Sequence, residues 1–184
     1  TKFSIKGFEI DLEAEWEIYN FNNIIEEKTG LNVANETYNG SKVEEKDLVE
    51  ICEKFGVQYE RKGLNIIRTA DSVWKIFRKE ISGPGFLIGI PVSMEPLAKK
   101  DRDPKEQTVE RFQVILAGSE VGKGFSELND PVDQRERFVA QQALRDAGDD
   151  EAQMADMEYV EAMEYGMPPA FGFAYGDRLF AFLV

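Results

Sequence analysis

The sequence predicts an α+β fold, a mostly antiparallel sheet with helices between its strands and a small helical region near the N-terminus. Three observations carry this. Between Asn20 and Ser82 apolar residues recur at helical spacing. At Ser82-Gly83-Pro84-Gly85 the pattern changes, and the apolar strand Phe86–Ile90, a longer strand Val109–Ala117 and another, Glu120–Asn129, follow. Helix signals then separate these strands from a last one, Ala170–Tyr175.

The elements follow in order. Phe3, Ile5, Phe8, Ile10 and Leu12 alternate around Lys6-Gly7, as a hairpin or two short strands require. A helix lies within Asn20–Thr29, with Phe21, Ile24 and Ile25 inward and Gly30 as its stop. Asn32–Lys42 is polar and turn-rich. Ser41 and Glu44 form a capping-box pattern ahead of a helix whose apolar face is Leu48, Ile51, Cys52 and Phe55, closed by Gly56. Thr69 or Asp71 can cap a third helix carrying Val73, Trp74 and Phe77. Phe77-Arg78-Lys79-Glu80 is expected to be a solvated helix end. Pro91–Met94 is expected to continue the Phe86 strand. Asp130-Pro131 starts a helix: the Asp side chain accepts orphan N–H groups and Pro suits the first helical position. It runs through Phe138, Val139 and Leu144 to Gly148. Asp156 opens another helix, ending at Gly166. A last helix begins at Asp177 and runs to Val184 without a cap, which predicts a truncation.

The 184 residues can bury one real core. No apolar run approaches ~18–20 residues, so no transmembrane helix is expected. The N-terminus lacks a signal-peptide pattern. One cysteine, Cys52, forbids an internal disulfide and fits a reducing, cytoplasmic compartment. Its place on an apolar helix face makes it a small buried hydrophobe. With no histidine, a His-ligated zinc site or a Ser-His-Asp triad cannot form, so any metal is hard and oxygen-bound. The net charge of −13 disfavours binding along a phosphate backbone by these residues alone.

Chemistry concentrates in Glu120–Asp130. Two carboxylates, Glu120 and Glu127, stand seven residues apart, with Gly122, Lys123, Gly124 and Phe125 between them. Acidic side chains beside glycines can hold a metal or a cationic substrate against nearby backbone. Lys123, Phe125 and Glu127 alternate onto one strand face. Glu120 is an odd number away from Glu127. Either a bulge at Gly122 or Gly124 brings the two together, or they serve different layers.

Several blocks, in order and spacing, resemble class II lysyl-tRNA synthetases from about Trp16 onward: Pro91-Val92-Ser93-Met94-Glu95-Pro96-Leu97-Ala98-Lys99-Lys100, Glu110-Arg111-Phe112, Phe125–Asp130, Asp146–Ala152 and Glu164–Pro169. The final block, Gly172–Leu179, resembles motif 3 of that class. The resemblance implies a class II catalytic domain with a small helical insertion, residues 20–82 and 83–184 forming the insertion and the substrate sheet. It implies ATP-dependent activation of lysine to lysyl-adenylate and transfer to tRNA(Lys), with ATP and Mg2+ as cofactors and a homodimer in the intact protein. Glu127 then meets the lysine ammonium, Phe125 packs on its methylenes, and Lys123 stands where the family carries asparagine. Glu120, Gly172, Ala174, Gly176 and Arg178 belong to ATP, with Arg178 as phosphate clamp and catalytic residue. Glu120 and Gln113 take the metal positions. Gln113 replaces a glutamate and offers a neutral oxygen, so metal affinity there should be lower. In the family, motifs 1 and 2 and the anticodon-binding barrel precede the position of Trp16. The chain is thus expected to be part of a catalytic domain and inactive alone. The alternatives are a lysine- or partner-binding paralogue without catalysis, and a relative that lysylates a protein.

Overall fold

The structure, a computed structural model, describes residues 1–103 and 107–183, and of Arg178, Phe182 and Leu183 only the backbone. Strands β1 (Lys2–Ile5) and β2 (Phe8–Asp11) form the expected antiparallel hairpin. Its turn places Lys6 and Gly7 at φ 51° and 81°, the left-handed pair that a two-residue hairpin needs. Ile10 is buried, and the hairpin packs on Leu116 and Val121.

Strand β3 (Glu17–Asn20) is a short strand whose pattern gives little signal, since Ile18 is 69% exposed. Helix α1 (Phe21–Thr29) starts where the Asn20 side chain accepts from the Asn23 N–H, and stops at left-handed Gly30. The polar stretch after it forms three two-residue strands, β4 (Leu31–Asn32), β5 (Thr37–Tyr38) and β6 (Ser41–Lys42). Helix α2 (Glu45–Phe55) buries Leu48, Ile51 and Cys52 as expected, but its capping box is Glu44 with Asp47. Ser41 is taken up by the β5–β6 ladder, which moves the cap three residues on. Helix α3 (Ile66–Phe77) is capped by Asn65, whose side chain accepts from the Arg68 N–H. Thr69 and Asp71, the expected caps, lie inside it, Thr69 buried beside Cys52. A 3-10 turn, Arg78–Glu80, follows.

Strand β7 (Gly85–Ile88) is shorter than expected. Pro91–Met94 does not extend it, because Gly89 turns the chain at φ 71° and Val92–Met94 forms a 3-10 turn. Strands β8 (Arg111–Leu116) and β9 (Ser119–Ser126) form a second hairpin. Asp130 accepts from the Val132 and Asp133 N–H groups and Pro131 opens helix α4 (Pro131–Asp146); Asp156 caps helix α5 (Met157–Glu164). Strand β10 (Phe171–Tyr175) and helix α6 (Asp177–Leu183) close the described chain; the expected end at Val184 lies outside the described residues.

The main sheet has the order β10-β9-β8-β7-β3. The pairs β10/β9, β9/β8 and β8/β7 are antiparallel and β7/β3 is parallel, so the fold is α+β with an antiparallel-dominated sheet. One face meets the helices in a core containing Phe21, Ile25, Val73, Trp74, Leu87 and Ile115. Burying each such side chain contributes roughly 1.5–3 kcal/mol. The opposite face carries a ring cluster: Phe112 stacks on Phe171 at 6.2 Å and Phe173 at 5.8 Å and meets Phe86 edge-to-face at 5.6 Å.

Candidate functional site

The register of β9 decides which side chains share the helix-facing side of the sheet. Val114 pairs with Gly122 while the next residue, Ile115, pairs with Glu120, so Val121 is an extra residue in β9. Such a bulge reverses the alternation. It lies at Val121, before either glycine considered from the sequence, and it puts Glu120 on the same side as Lys123, Phe125 and Glu127. Gln113 lies across from Lys123 on that side, and its Nε2 donates to Glu120 Oε2 at 3.0 Å. Gly122 and Gly124 face the other way. A Cβ on Gly124 would lie 2.9 Å from the Phe171 ring and 3.0 Å from Phe112. These two glycines make room for the ring stack, which corrects the reading of them as part of a metal or substrate cradle.

The face opens into a cavity of about 400 Å3 lined by Gln113, Glu120, Lys123 and Phe125 from the sheet, by Asp71 and Trp74 from α3, and by Ser93–Leu97. Glu120 Oε1 accepts from Trp74 Nε1 at 2.8 Å and forms an ion pair with Arg78 NH1 at 2.9 Å. Arg78 is 18% exposed, so it is no solvated helix end. It is one of the residues that sequence reasoning missed. Glu95 and Arg111 are two more. Arg111, 8% exposed, meets Glu95 Oε1 at 2.6 Å. Desolvation lowers its pKa, and the negative charges of Glu95, Glu120 and Asp71 oppose that shift. Lys123 Nζ reaches the two Glu95 oxygens at 2.9 and 3.1 Å, so its charge turns to a protein carboxylate. The available signal was the charge itself: an acid stands beside Pro96-Leu97 in a loop block that returns over the sheet.

Glu127 follows β9. Its N–H donates to the Ala170 carbonyl at 2.9 Å. Among the described residues no side chain donates to its carboxylate. Burial raises its pKa, and Lys123 pulls the other way. Gly172 and Ala174 pair with Phe125 and Lys123, so they lie on the same side of the sheet. A Cβ on Gly172 would stand 3.1 Å from Glu127 Oε1. Gly176 donates its N–H to Val121 O at 3.1 Å and faces open space. The Arg178 backbone is the second residue of α6, and its side chain lies outside the described residues. Gln113, Glu120, Lys123 and Phe125 are thus gathered in one cavity, with Glu127 and Gly172 continuing the same face.

Two donors already use the Glu120 oxygens, the Trp74 indole and the Gln113 amide N–H2, and the Arg78 guanidinium is ion-paired to the same carboxylate at 2.9 Å. Magnesium needs oxygen ligands at about 2.0–2.1 Å in near-octahedral array. The arrangement fits a charge-compensated, anchored carboxylate and does not fit a metal held by Gln113 and Glu120. Among the described residues no group of three or more His, Cys, Asp or Glu could hold a metal ion.

A family model described as tRNA synthetases class II (D, K and N) matches residues 2–184. The chain is 39% identical over 183 residues to the lysine–tRNA ligase of Thermotoga sp. (strain RQ2), covering 99% of this chain and 34% of that protein. It is 39% identical over 180 residues to the lysine–tRNA ligase of Thermosipho africanus, covering 97% and 34%. With that of Porphyromonas gingivalis the identity is 37% over 181 residues, covering 97% and 30%. The chain spans about a third of the length of these curated relatives.

Proposed function

We propose that this chain, which belongs to the class II tRNA synthetases (D, K and N), forms the lysine pocket and part of the ATP site of a lysine–tRNA ligase. The observation that carries the reading is Glu127: a partly buried carboxylate to which no described side chain hydrogen-bonds, on a sheet face shared with Phe125. A lysine side chain supplies what that face lacks. Its ammonium meets Glu127 and its methylenes lie on Phe125. Lys123, drawn to Glu95, leaves Glu127 to the substrate. Gly172, Ala174 and Gly176 give ATP close access to the sheet, and Arg178 clamps phosphate in the manner of a bidentate guanidinium fork. Held in line, the lysine carboxylate oxygen bonds to the α-phosphorus and pyrophosphate leaves. The lysyl group then passes from the adenylate to tRNA(Lys). Positioning and charge stabilisation do most of this work.

On this reading residues 83–184 carry the pocket and residues 20–82 cover it, and the full-length protein acts as a cytoplasmic homodimer. No helix of the described residues is long and apolar enough to cross a membrane. The departures at Gln113 and Lys123 favour a second reading, a paralogue that binds lysine without activating it. Lysine-dependent ATP–pyrophosphate exchange separates the two. The full-length protein is expected to exchange with lysine, and the 184-residue chain alone is not. Lysine binding without exchange by the full-length protein supports the second reading; exchange dependent on another amino acid overturns both.

A further inference from the structure

We infer that Arg78, paired to Glu120, takes the place of a divalent cation at this corner of the pocket, so that a nucleotide binds there with no metal ion ligated by Glu120. Only the word nucleotide rests on the function proposed above. Oε1 accepts from Trp74 Nε1 at 2.8 Å and is ion-paired to Arg78 NH1 at 2.9 Å, so a hydrogen bond and a fixed cation already occupy its surroundings. Oε2 takes the Gln113 amide at 3.0 Å. Trp74 is buried in the core and Arg78 is mostly buried, so neither group swings aside freely. A dication entering this shell must displace hydrogen bonds and sit beside a fixed guanidinium, a like charge within a few ångströms. Gln113 offers no second negative charge to offset that repulsion. One carboxylate and one guanidinium already neutralise each other here, which is the charge balance that two carboxylates and a dication would otherwise reach.

Trp74 makes the inference measurable without substrate. A terbium ion on Glu120 would sit against the indole and emit on tryptophan excitation. Terbium alone is titrated into the full-length protein, the Glu120→Gln variant, and the variants Gln113→Glu and Arg78→Gln/Gln113→Glu, each with and without Glu120→Gln. Near-ultraviolet circular dichroism confirms that each variant keeps the Trp74 environment. The wild-type protein is expected to show no Glu120-dependent emission, and Arg78→Gln/Gln113→Glu is expected to gain it. Glu120-dependent emission in the wild type overturns the inference on its own, whether or not the variants fold. No gain in a folded Arg78→Gln/Gln113→Glu protein, or in Gln113→Glu if the double variant does not fold, also overturns it, because Arg78 and Gln113 would not be what excludes the ion. Failure of the lysine–tRNA ligase reading shows separately, in pyrophosphate exchange.

Discussion

Glu95 holds two cations at once, Arg111 at 2.6 Å and Lys123 at 2.9 Å, and is itself 13% exposed. Removing its charge leaves Arg111 buried without its partner and frees Lys123. Glu95→Gln is therefore expected to destabilise the fold by ~3–5 kcal/mol, the usual cost of breaking a buried pair from one side. Urea denaturation measures it. Lysine affinity should fall as well, because a freed Lys123 competes for Glu127 and repels the substrate ammonium. Adding Lys123→Gln should restore lysine affinity; no restoration would mean that Lys123 does not act on the substrate. In the sequence Lys123 stands where the family carries asparagine, and nothing local names Glu95 as its partner. The pairing exists only once the loop after β7 folds back over β8 and β9. Arg78 escaped for the same reason: its partner Glu120 comes into reach through tertiary packing, and locally it looked like a helix end.

At the scale of elements, α3 and the loop after α4 are joined by Asp149, whose side chain is 3% exposed. Arg68 Nε donates to it at 2.8 and 2.9 Å and Asn65 Nδ2 at 2.9 Å, while Arg68 NH1 reaches Glu151. Burial raises the Asp149 pKa, but the bonds from Arg68 and Asn65 outweigh it, and the net shift is downward from 3.8. Its contribution is thus complete above 3.8 and is lost as pH falls through the lower folded value. Asp149→Asn should cost ~1.5–3 kcal/mol at neutral pH, the range for a hydrogen-bonded charge. The variant should also lose less stability than wild type on acidification below pH 3.8, and equal acid sensitivity would rule out this role. Helices α4 and α5 were legible from their aspartate caps and glycine stops, and α1 from its apolar face and Gly30 stop; the buried face of α4 is largely polar, Gln134, Arg137 and Gln141 beside Phe138. The caps of α2 and α3 were not legible, because several polar residues near each start compete and tertiary pairing chooses among them. Strands β3 to β6 have two to four residues, too few for alternation to rise above their polar neighbours.

Across the whole molecule, the antiparallel run β10-β9-β8-β7 was legible from the order of the family blocks and the change of pattern at Gly83-Pro84-Gly85, with β9 the strand of least apolar character. The common face of Glu120 and Glu127 was legible only as one of two alternatives: the glycines suggested a bulge, but whether it forms, and that it lies at Val121, is set by the pairing with β8. That face is where fold and function meet. Burial raises the Glu127 pKa, so its charged form costs stability in the folded state. A carboxyl raised in this way contributes stability below its unfolded value of 4.5 and loses it as pH rises through the folded pKa. Lysine binding needs the charged form, so lysine affinity should weaken as pH falls through that raised value. Arg178→Ala, by contrast, should weaken ATP more than lysine. The most direct test of the lysine pocket is calorimetric titration of lysine into the full-length protein and its Glu127→Gln variant, with a thermal melt of each unliganded protein. Loss of one partner of a desolvated pair costs ~2–5 kcal/mol, so lysine affinity should drop at least about thirtyfold. The melting temperature of Glu127→Gln should stay level or rise. An unchanged lysine affinity, or an affinity lost together with the melting temperature, would contradict the assignment of Glu127 as the residue that meets the lysine ammonium.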